Sequence, residues 1–295
     1  MKSMTIVMLY IAVFLGVAAF VSSKPNKVTA ERESITLGVF PRFAHDITME
    51  GFTPLSKYLS KQLGRRVRLV TTHSFAEFWK KLQNREFDIV HFNQYHYIRA
   101  KKKLNYEVVA MNEERGRSTI SSSIVVRKDS GIKSIADLKG KTILFGGGPK
   151  AMISYIYATY LLKQGGLNPG DYQIRFETNP PSALIATFYH LWGAQAVGVG
   201  DVVLELPGIK KLVDTKQLAY LTVGKQYAHL PWAVKKELSP LLKKQILAAM
   251  LKLKNSEQGR KILKKARLSG FAPAKDSDFN PHRKITLNTL GENFF

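Results

Sequence analysis

Short β-rich segments alternate with segments of helical hydrophobic spacing along most of the chain, and this alternation constrains the fold most strongly. Residues 34–40, SITLGVF, have the alternating pattern of a strand, and residues 52–63 place apolar side chains on one helical face. The same pattern recurs through 67–102. Because parallel strands need crossover connections that are usually helical, we expect a parallel, doubly wound α/β sheet with helices on both faces.

A second strand–helix series follows the first and predicts a second lobe. Strands are expected at 106–112 and 122–127, and a new series of strands and helices begins at 142. We expect hinge strands near Met111–Val125 and Leu218–Val223, a C-terminal helical region, and Ser256 as the start of the last helix. The predicted boundaries are 34–115 for the first part of lobe 1, 116–222 for the inserted lobe 2, and 223–295 for the return to lobe 1.

The N-terminus has the pattern of a secretory signal. Lys2 precedes an uncharged run that is apolar from Ile6 to Val21 and is followed by Lys24. We predict that residues 1–23 are a signal peptide or an uncleaved anchor and that 24–33 are a linker. The rest is then expected in the periplasm or on the extracellular face of the inner membrane. The sequence has no cysteine, which excludes a lipoprotein anchor, disulfides and thiolate metal sites.

The net charge of +23 favours an anionic partner: nucleic acid, an anionic membrane surface or an anionic solute. A solubilising surface is the alternative explanation, and the basic residues are spread along the whole chain rather than gathered in one tail. The segment 239–267 is rich in Lys and Arg and has the single acid Glu257. Its apolar helical stripe predicts an exposed basic face, which we assign to solubility or loose contact with an anionic membrane.

The most distinctive local motif is a run of glycines between a predicted strand and a helix, Phe145-Gly146-Gly147-Gly148-Pro149-Lys150-Ala151-Met152. Glycines let backbone N–H groups approach a ligand closely, and the helix start and Lys150 add positive charge. The loop therefore predicts an anion site, with a plain glycine turn as the alternative. The GxxxxGK[ST] spacing of a phosphate-binding Walker loop is absent.

Two further segments follow strand ends on the same predicted cleft. His91-Phe92-Asn93-Gln94-Tyr95-His96-Tyr97 offers hydrogen bonds to a polar solute, with core packing as the alternative. Asn179 precedes a Pro-Pro helix start, and Asp201 ends the segment VGVGD, where a helix N-cap is the alternative role.

The chain lacks the sequence signatures of an enzyme or a metal site. His73, His91 and His96 have no carboxylate close in sequence, so we predict no metal site. There is no GxSxG elbow and no close carboxylate pair. We therefore predict a protein without catalytic residues or cofactors.

The order of these segments resembles the periplasmic phosphate/phosphite/phosphonate-binding proteins of ABC transporters, a branch of the type II periplasmic-binding fold. The resemblance covers about Ile35 to Pro273. It implies two lobes, each a doubly wound sheet with helices on both faces, and a ligand cleft between them. The segments that carry it are ITLGVFP, FDIVHFNQYHYIRA, SIADLKGKTILFGGGPKAMISYIYATYLLKQGGL, NPPSALIATF with AVGVGD, and HLPWAVKKEL.

This resemblance implies a monomer that closes its lobes around a small anionic solute, a phosphate- or phosphonate-like oxyanion, and passes it to an ABC-transporter permease. Signalling to a membrane sensor kinase, an enzyme on the same fold and a basic envelope protein that binds lipid or nucleic acid are the alternatives. We expect no nucleic-acid partner.

The sequence departs from the family where serine and threonine usually grip the phosphonate. That helix start is Gly148-Pro149-Lys150-Ala151-Met152, and Gln195 replaces a family aspartate. The glycine loop and Lys150 are thus expected to hold the anion. The predicted ligand-binding residues are Phe40, Arg42, His73, Asn93, Tyr95, His96, Tyr97, Gly146, Gly147, Gly148, Lys150, Ala151, Met152, Asn179 and Asp201.

Overall fold

The computed structural model of the protein describes residues 34–295, which belong to one compact unit. The predicted signal and linker lie outside the described residues. Two large sheets and one two-stranded sheet organise this unit. The strands are β1 Ile35–Val39, β2 Val67–Thr71, β3 Ile89–His91, β4 Tyr106–Glu113, β5 Thr119–Ile120, β6 Ser122–Arg127, β7 Thr142–Gly146, β8 Gln173–Glu177, β9 Ala194–Gly200, β10 Leu218–Val223, β11 Tyr227–Ala228, β12 Pro231–Lys235 and β13 Gly270–Pro273.

Helices flank both large sheets. Short 3₁₀ turns and one π-helix, Met152–Tyr157, accompany them. The α-helices are α1 His45–Leu63, α2 Phe75–Gln83, α3 Gln94–Leu104, α4 Ala158–Gln164, α5 Pro180–Phe188, α6 Pro207–Lys210, α7 Pro240–Lys252, α8 Glu257–Lys265 and α9 Asn280–Leu290.

The six-stranded sheet, which defines lobe 1, has the order β13-β4-β12-β3-β1-β2. Strands β1, β2 and β3 are parallel, whereas β12 runs antiparallel to both β3 and β4. The expectation of a parallel sheet is therefore wrong for this lobe. Strand β12 follows the excursion through lobe 2 and enters the sheet between β4 and β3, in the opposite direction to both.

The five-stranded sheet, which defines lobe 2, has the order β10-β6-β9-β7-β8. Strands β7, β8 and β9 are parallel, and β6 pairs antiparallel with β9 and β10. Lobe 2 is thus also a mixed sheet. The predicted α/β class with two helix-flanked sheets is confirmed, while the lobe boundaries given above stay a prediction.

The chain passes between the two sheets at 114–121 and at 224–230, where β5 and β11 pair antiparallel. The predicted second hinge strand, Leu218–Val223, is instead β10 of the lobe 2 sheet. A strand that is hydrogen-bonded along its length within one sheet cannot bend freely between two sheets, so the crossing falls just after it.

Local signals explain most helix ends. Ser74 accepts the Glu77 N–H at 3.2 Å, and Ser239 accepts the Leu242 N–H at 3.2 Å. Helix α1 starts at His45 rather than at the expected residue 52 and ends at Gly64, whose φ of 59° is the left-handed conformation typical of a helix end.

The segment after the glycine loop forms two helical elements, the π-helix followed by α4. The wider π turn comes directly after the glycine loop. Gly198 of β9 lies beneath it, and a Cβ at that position would lie under 3.0 Å from the Ser154 carbonyl oxygen. Glycine at 198 therefore lets the π-helix pack closely on the lobe 2 sheet.

The last helix of the chain is α9, not the helix that Ser256 opens, so that expectation is wrong. Helix α9 packs against α3 of lobe 1 and against both the π-helix and α4 of lobe 2. Ile285 of α9 and Phe279, which directly precedes this helix, belong to one hydrophobic cluster with Phe92 of lobe 1 and Met152 of lobe 2. Within residues 34–295, no helix is long and apolar enough to cross a membrane.

Candidate functional site between the lobes

The predicted ligand residues follow the carboxyl ends of parallel strands in both lobes. In lobe 1, β1, β2 and β3 end together, and the loops after them carry Phe40 with Arg42, His73 and Asn93. In lobe 2, β7, β8 and β9 end together before the glycine loop, Asn179 and Asp201. In open α/β sheets, ligands bind at this edge.

The first two loops of lobe 1 are already engaged within the protein. Phe40 is buried and stacks with Phe75, their ring centroids 6.0 Å apart. Arg42 forms an ion pair with Glu114, with Nη1 2.7 Å from Oε1. His73 is exposed and stacks on His45 at 4.6 Å.

The segment after β3 divides its side chains between the core and the cleft. The Asn93 side chain caps α3 by accepting the Tyr95 N–H at 2.9 Å. His96 is buried in lobe 1, stacked on Phe75 at 4.7 Å. The Tyr97 hydroxyl donates to Asp276 at 2.6 Å, and the Tyr97 ring is fully buried. Their ligand roles stay predictions, and the structure gives His96 and Tyr97 packing roles.

The glycine loop of lobe 2 has the backbone conformation that its sequence predicts. Gly147 and Gly148 have φ values of 86° and 82°, in the left-handed region. The Gly147 N–H donates to the Glu177 carbonyl at 2.9 Å. Among the described residues, the backbone N–H groups of Gly148 and Lys150 have no hydrogen-bond partner, so both remain available to an anion.

Gly146 is the point at which two loops of lobe 2 touch. A Cβ at residue 146 would lie under 3.0 Å from backbone atoms of Asn179 and Pro180. Asn179 itself caps α5, accepting the Ser182 N–H at 2.9 Å. The cap occupies the side-chain oxygen of Asn179, which was predicted to bind the ligand, and it holds the Asn179 loop against the glycine loop.

The remaining lobe 2 residues of the prediction make contacts within the protein. Ala151 is buried at the start of the π-helix, and the Met152 sulfur lies 3.9 Å from the Thr286 hydroxyl of α9. Asp201 accepts the Ser121 N–H at 3.2 Å and also binds Gln226. It thus joins both crossing segments and does not act as the helix N-cap considered above.

Lys150 and Tyr95 come together from opposite lobes. The Lys150 ammonium lies 4.9 Å from the centroid of the Tyr95 ring. Both groups bind one carboxylate, because Lys150 Nζ donates to Glu292 Oε1 at 2.6 Å and the Tyr95 hydroxyl donates to Oε2 at 2.7 Å. We name Tyr95, Lys150 and Glu292 the interlobe corner.

A cavity of 390 Å³ opens beside the interlobe corner, and Arg99 and Lys103 also line it. Burial raises the pKa of Glu292, but the hydrogen bonds from Lys150 and Tyr95 outweigh it and lower that pKa below its usual value. Burial and the Glu292 carboxylate raise the pKa of the Tyr95 hydroxyl, which therefore remains a donor. The cavity thus has three cationic side chains and one ionised acid.

A second charged group lies at the crossing segments. Glu114 binds Arg42 and Asn112, and His229 Nε2 lies 3.8 Å from Glu114. Burial raises the pKa of Glu114, but the Arg42 charge, the His229 interaction and these hydrogen bonds lower it to about 2. Glu114 is therefore ionised and fixes the loop after β1 to the first crossing segment.

Two buried side chains next to β11 have polar atoms without partners among the described residues. The Gln94 amide nitrogen donates to the Ala228 carbonyl at 3.4 Å, while its oxygen is unpartnered. His282 of α9 lies with its ring 6.0 Å from that of Tyr227, and neither ring nitrogen has a partner. Buried polar groups are normally hydrogen-bonded, so these atoms mark candidate solute contacts.

Sequence patterns gave no sign of Glu292, Arg99 or His282 as site residues. Glu292 lies beyond the resemblance in the segment GENFF, and only the path of α9 brings it to Lys150. Arg99 lies one helical turn after Tyr95, a spacing that could have suggested a shared face. Within residues 34–295, no group of three or more histidines and acids could hold a metal ion.

Comparison with known proteins identifies the family. The family model described as "ABC transporter, phosphonate, periplasmic substrate-binding protein" matches residues 37–279. The chain belongs to this family of transport binding proteins, and the predicted family is confirmed.

Three relatives illustrate the similarity. The "Phosphate-import protein PhnD" of Mycolicibacterium smegmatis is 27% identical over 157 residues, so the match spans 51% of this chain and about half, 49%, of that protein. The methylphosphonate complex of PhnD1 from Prochlorococcus marinus has a TM-score of 0.75 at 19% identity, covering 86% of this chain and 97% of that one. A binding protein component of an ABC phosphonate transporter from Pseudomonas aeruginosa has a TM-score of 0.73 at 17% identity, covering 87% and 86%. At these identities, the two structures show a shared fold.

Proposed function

We propose that the protein captures a small oxyanion between its lobes and delivers it to the permease of an ABC transporter. The observation that carries this proposal is the interlobe corner. There an ammonium group of lobe 2 and a phenol hydroxyl of lobe 1 hold the two oxygens of one carboxylate. A solute oxyanion presents the same kind of acceptor, and charge-assisted hydrogen bonds of this kind are strong.

The glycine loop supplies the second part of the proposed site. Its free Gly148 and Lys150 N–H groups point to a backbone cradle for oxygen atoms, which replaces the hydroxyl clamp of typical phosphonate binders. Gln94 and His282 add polar atoms near the crossing segments. We propose phosphate, phosphite and alkylphosphonates as the solute class, since the relatives named above import phosphate or contain methylphosphonate.

Lobe closure is the proposed mechanism of capture. The crossing segments 114–121 and 224–230 provide the hinge about which the lobes move. We place the protein in the periplasm, supported by the family and the N-terminal pattern. A reporter fused after Phe295 should be active only outside the cytoplasm, and activity inside it would contradict this location.

Isothermal titration of the purified protein with methylphosphonate, phosphate and phosphite tests the solute class. Lys150→Gln should weaken binding at least tenfold, about 1.4 kcal/mol, because it removes the cation at the oxyanion. Lys254→Gln is the matched control. Lys254 is also ion-paired, 3.0 Å from Glu113, and has a similarly exposed side chain.

Each result has a distinct meaning. The proposal is supported if the wild type binds, Lys150→Gln binds more weakly, and Lys254→Gln binds as the wild type does. Equal affinity of Lys150→Gln and the wild type would place the solute elsewhere. Failure of the wild type to bind any of the three oxyanions would contradict the proposed solute class.

A further inference from the structure

The C-terminal segment 280–295 connects the two lobes and follows the last residue matched by the family model, Phe279. On the lobe 1 side, Arg283 forms an ion pair with Asp276 at 2.7 Å. On the lobe 2 side, Lys163 of α4 donates to the Asn288 carbonyl at 2.7 Å. This segment therefore delivers Glu292 to a fixed place between the lobes.

The backbone on either side of Glu292 is held firmly. The Gly291 N–H donates to the Leu287 carbonyl at 2.9 Å, and Arg283 Nε donates to the Phe294 carbonyl at 3.0 Å. Phe294 is buried, with its ring 5.8 Å from that of Tyr95. The Glu292 side chain, by contrast, is 33% exposed, so it can rotate out while the backbone stays in place.

In this position the Glu292 carboxylate occupies Lys150 and Tyr95, the two side chains of the interlobe corner that are proposed to bind an oxyanion. The cavity beside it retains excess positive charge. Among the described residues, neither Arg99 nor Lys103 forms a salt bridge, although both line the cavity. Arg99 is held in place by its stacking on Trp79, with Cζ 3.9 Å from the ring centroid.

We propose that Glu292 is a built-in competitor of the solute: its carboxylate holds Lys150 and the Tyr95 hydroxyl in the empty protein, and the incoming oxyanion displaces it. This inference rests on the proposed function, since it assigns the same groups to the solute. A displaced carboxylate has one negative charge. The three nearby cations attract a dianion such as a phosphonate more strongly than a monoanion, while the cost of displacing the carboxylate is the same for both.

The test is titration with methylphosphonate and its singly charged analogue methanesulfonate at low salt. Glu292→Gln keeps the side-chain size and removes the competing charge. It should tighten methylphosphonate binding about threefold, in line with the strength of a partly exposed ion pair. It should tighten methanesulfonate binding in the same direction, because the carboxylate competes with both anions. Glu292→Ala should act in the same direction.

Glu107→Gln is the matched control, because it changes the net charge equally at a distant ion pair. Glu107 lies 2.6 Å from Lys243 with a side chain 32% exposed, against 2.6 Å and 33% for Glu292. Tighter binding in both Glu292 variants and not in Glu107→Gln supports the proposal.

Three results would overturn it. Equal tightening in Glu107→Gln would show an effect of net charge alone. Unchanged affinity in the Glu292 variants would make the carboxylate a bystander, and weaker affinity would make it a clamp that stabilises lobe closure. Under any of these three results, binding by the wild type would still support the proposed function. If the wild type bound neither methylphosphonate nor phosphate, the proposed function and this inference would both be rejected.

Discussion

Acidification should destabilise this protein steeply, because four histidines are buried in the folded state. His91, His96, His229 and His282 are each at most 3% exposed. Burial lowers the pKa of His96 and His282 to about 3 and that of His229 to about 4. Burial likewise lowers the pKa of His91 well below its usual value.

The sign of the effect follows from where the protons bind. In the unfolded chain these side chains take up protons near pH 6.5, whereas in the folded protein His96, His229 and His282 remain neutral until about pH 4 or lower. Burial shifts the pKa of His91 in the same direction. The unfolded state therefore binds more protons between these limits. Each histidine contributes about 1.4 kcal/mol per pH unit there, so the four together lower the free energy of unfolding by about 5 kcal/mol per pH unit near pH 5.

A total stability of about 5–15 kcal/mol would be exhausted within a few pH units at that rate. Glu114 adds to the loss only in stronger acid. Its pKa of about 2 lies below the ordinary value of 4.5, so its contribution disappears as pH falls through that interval.

Urea unfolding at several pH values from 7.5 to 4.5, followed by circular dichroism, measures the slope. His96→Phe keeps an aromatic ring against Phe75 and removes one site, so its slope should be smaller by about 1.4 kcal/mol per pH unit. A wild-type slope below about 1.4 kcal/mol per pH unit, the value for a single proton, would show that the folded protein accepts these protons. The reasoning from burial would then fail.

Three further outcomes are expected. Gly146→Ala should lower the free energy of unfolding by about 2 kcal/mol or more, because its Cβ would meet the Pro180 backbone; a denaturant midpoint equal to the wild type would contradict this contact. Ser239→Ala should cost about 1 kcal/mol by removing the cap of α7, and no change in urea unfolding would exclude that role. Four lysines on α7 and α8 should be dispensable for solute affinity, measured by titration, yet their replacement by Gln should reduce salt-sensitive binding to anionic vesicles. Lost solute affinity with unaltered circular dichroism would move the site to this face. These lysines are Lys244, Lys252, Lys261 and Lys265.

Features that depend on near neighbours in the chain were predictable. A helix cap needs one side chain and a backbone N–H a few residues later, so Ser256 was correctly expected at the start of a helix. The glycine loop was likewise evident, because consecutive glycines between a strand and a helix permit the positive φ found at Gly147 and Gly148. The order of the segments from about Ile35 to Pro273 resembles that of the family, and this resemblance predicted the fold.

Features that depend on the path of the chain were not predictable in the same way. Tyr97 was expected to face a solute, yet its hydroxyl binds Asp276, which is distant in sequence. The direction of β12 and the position of α9 depend on how the chain returns from lobe 2.

By itself, the sequence determined the alternation of strands and helices, the family, and the glycine loop as an anion-binding candidate. Only the tertiary structure decided that Lys150 and Tyr95 meet on the carboxylate of Glu292. The physical reason is that hydrophobic periodicity and capping act over a few residues. The partner of a polar side chain is chosen instead by which surfaces the fold brings within about 3 Å, and no local pattern records that choice.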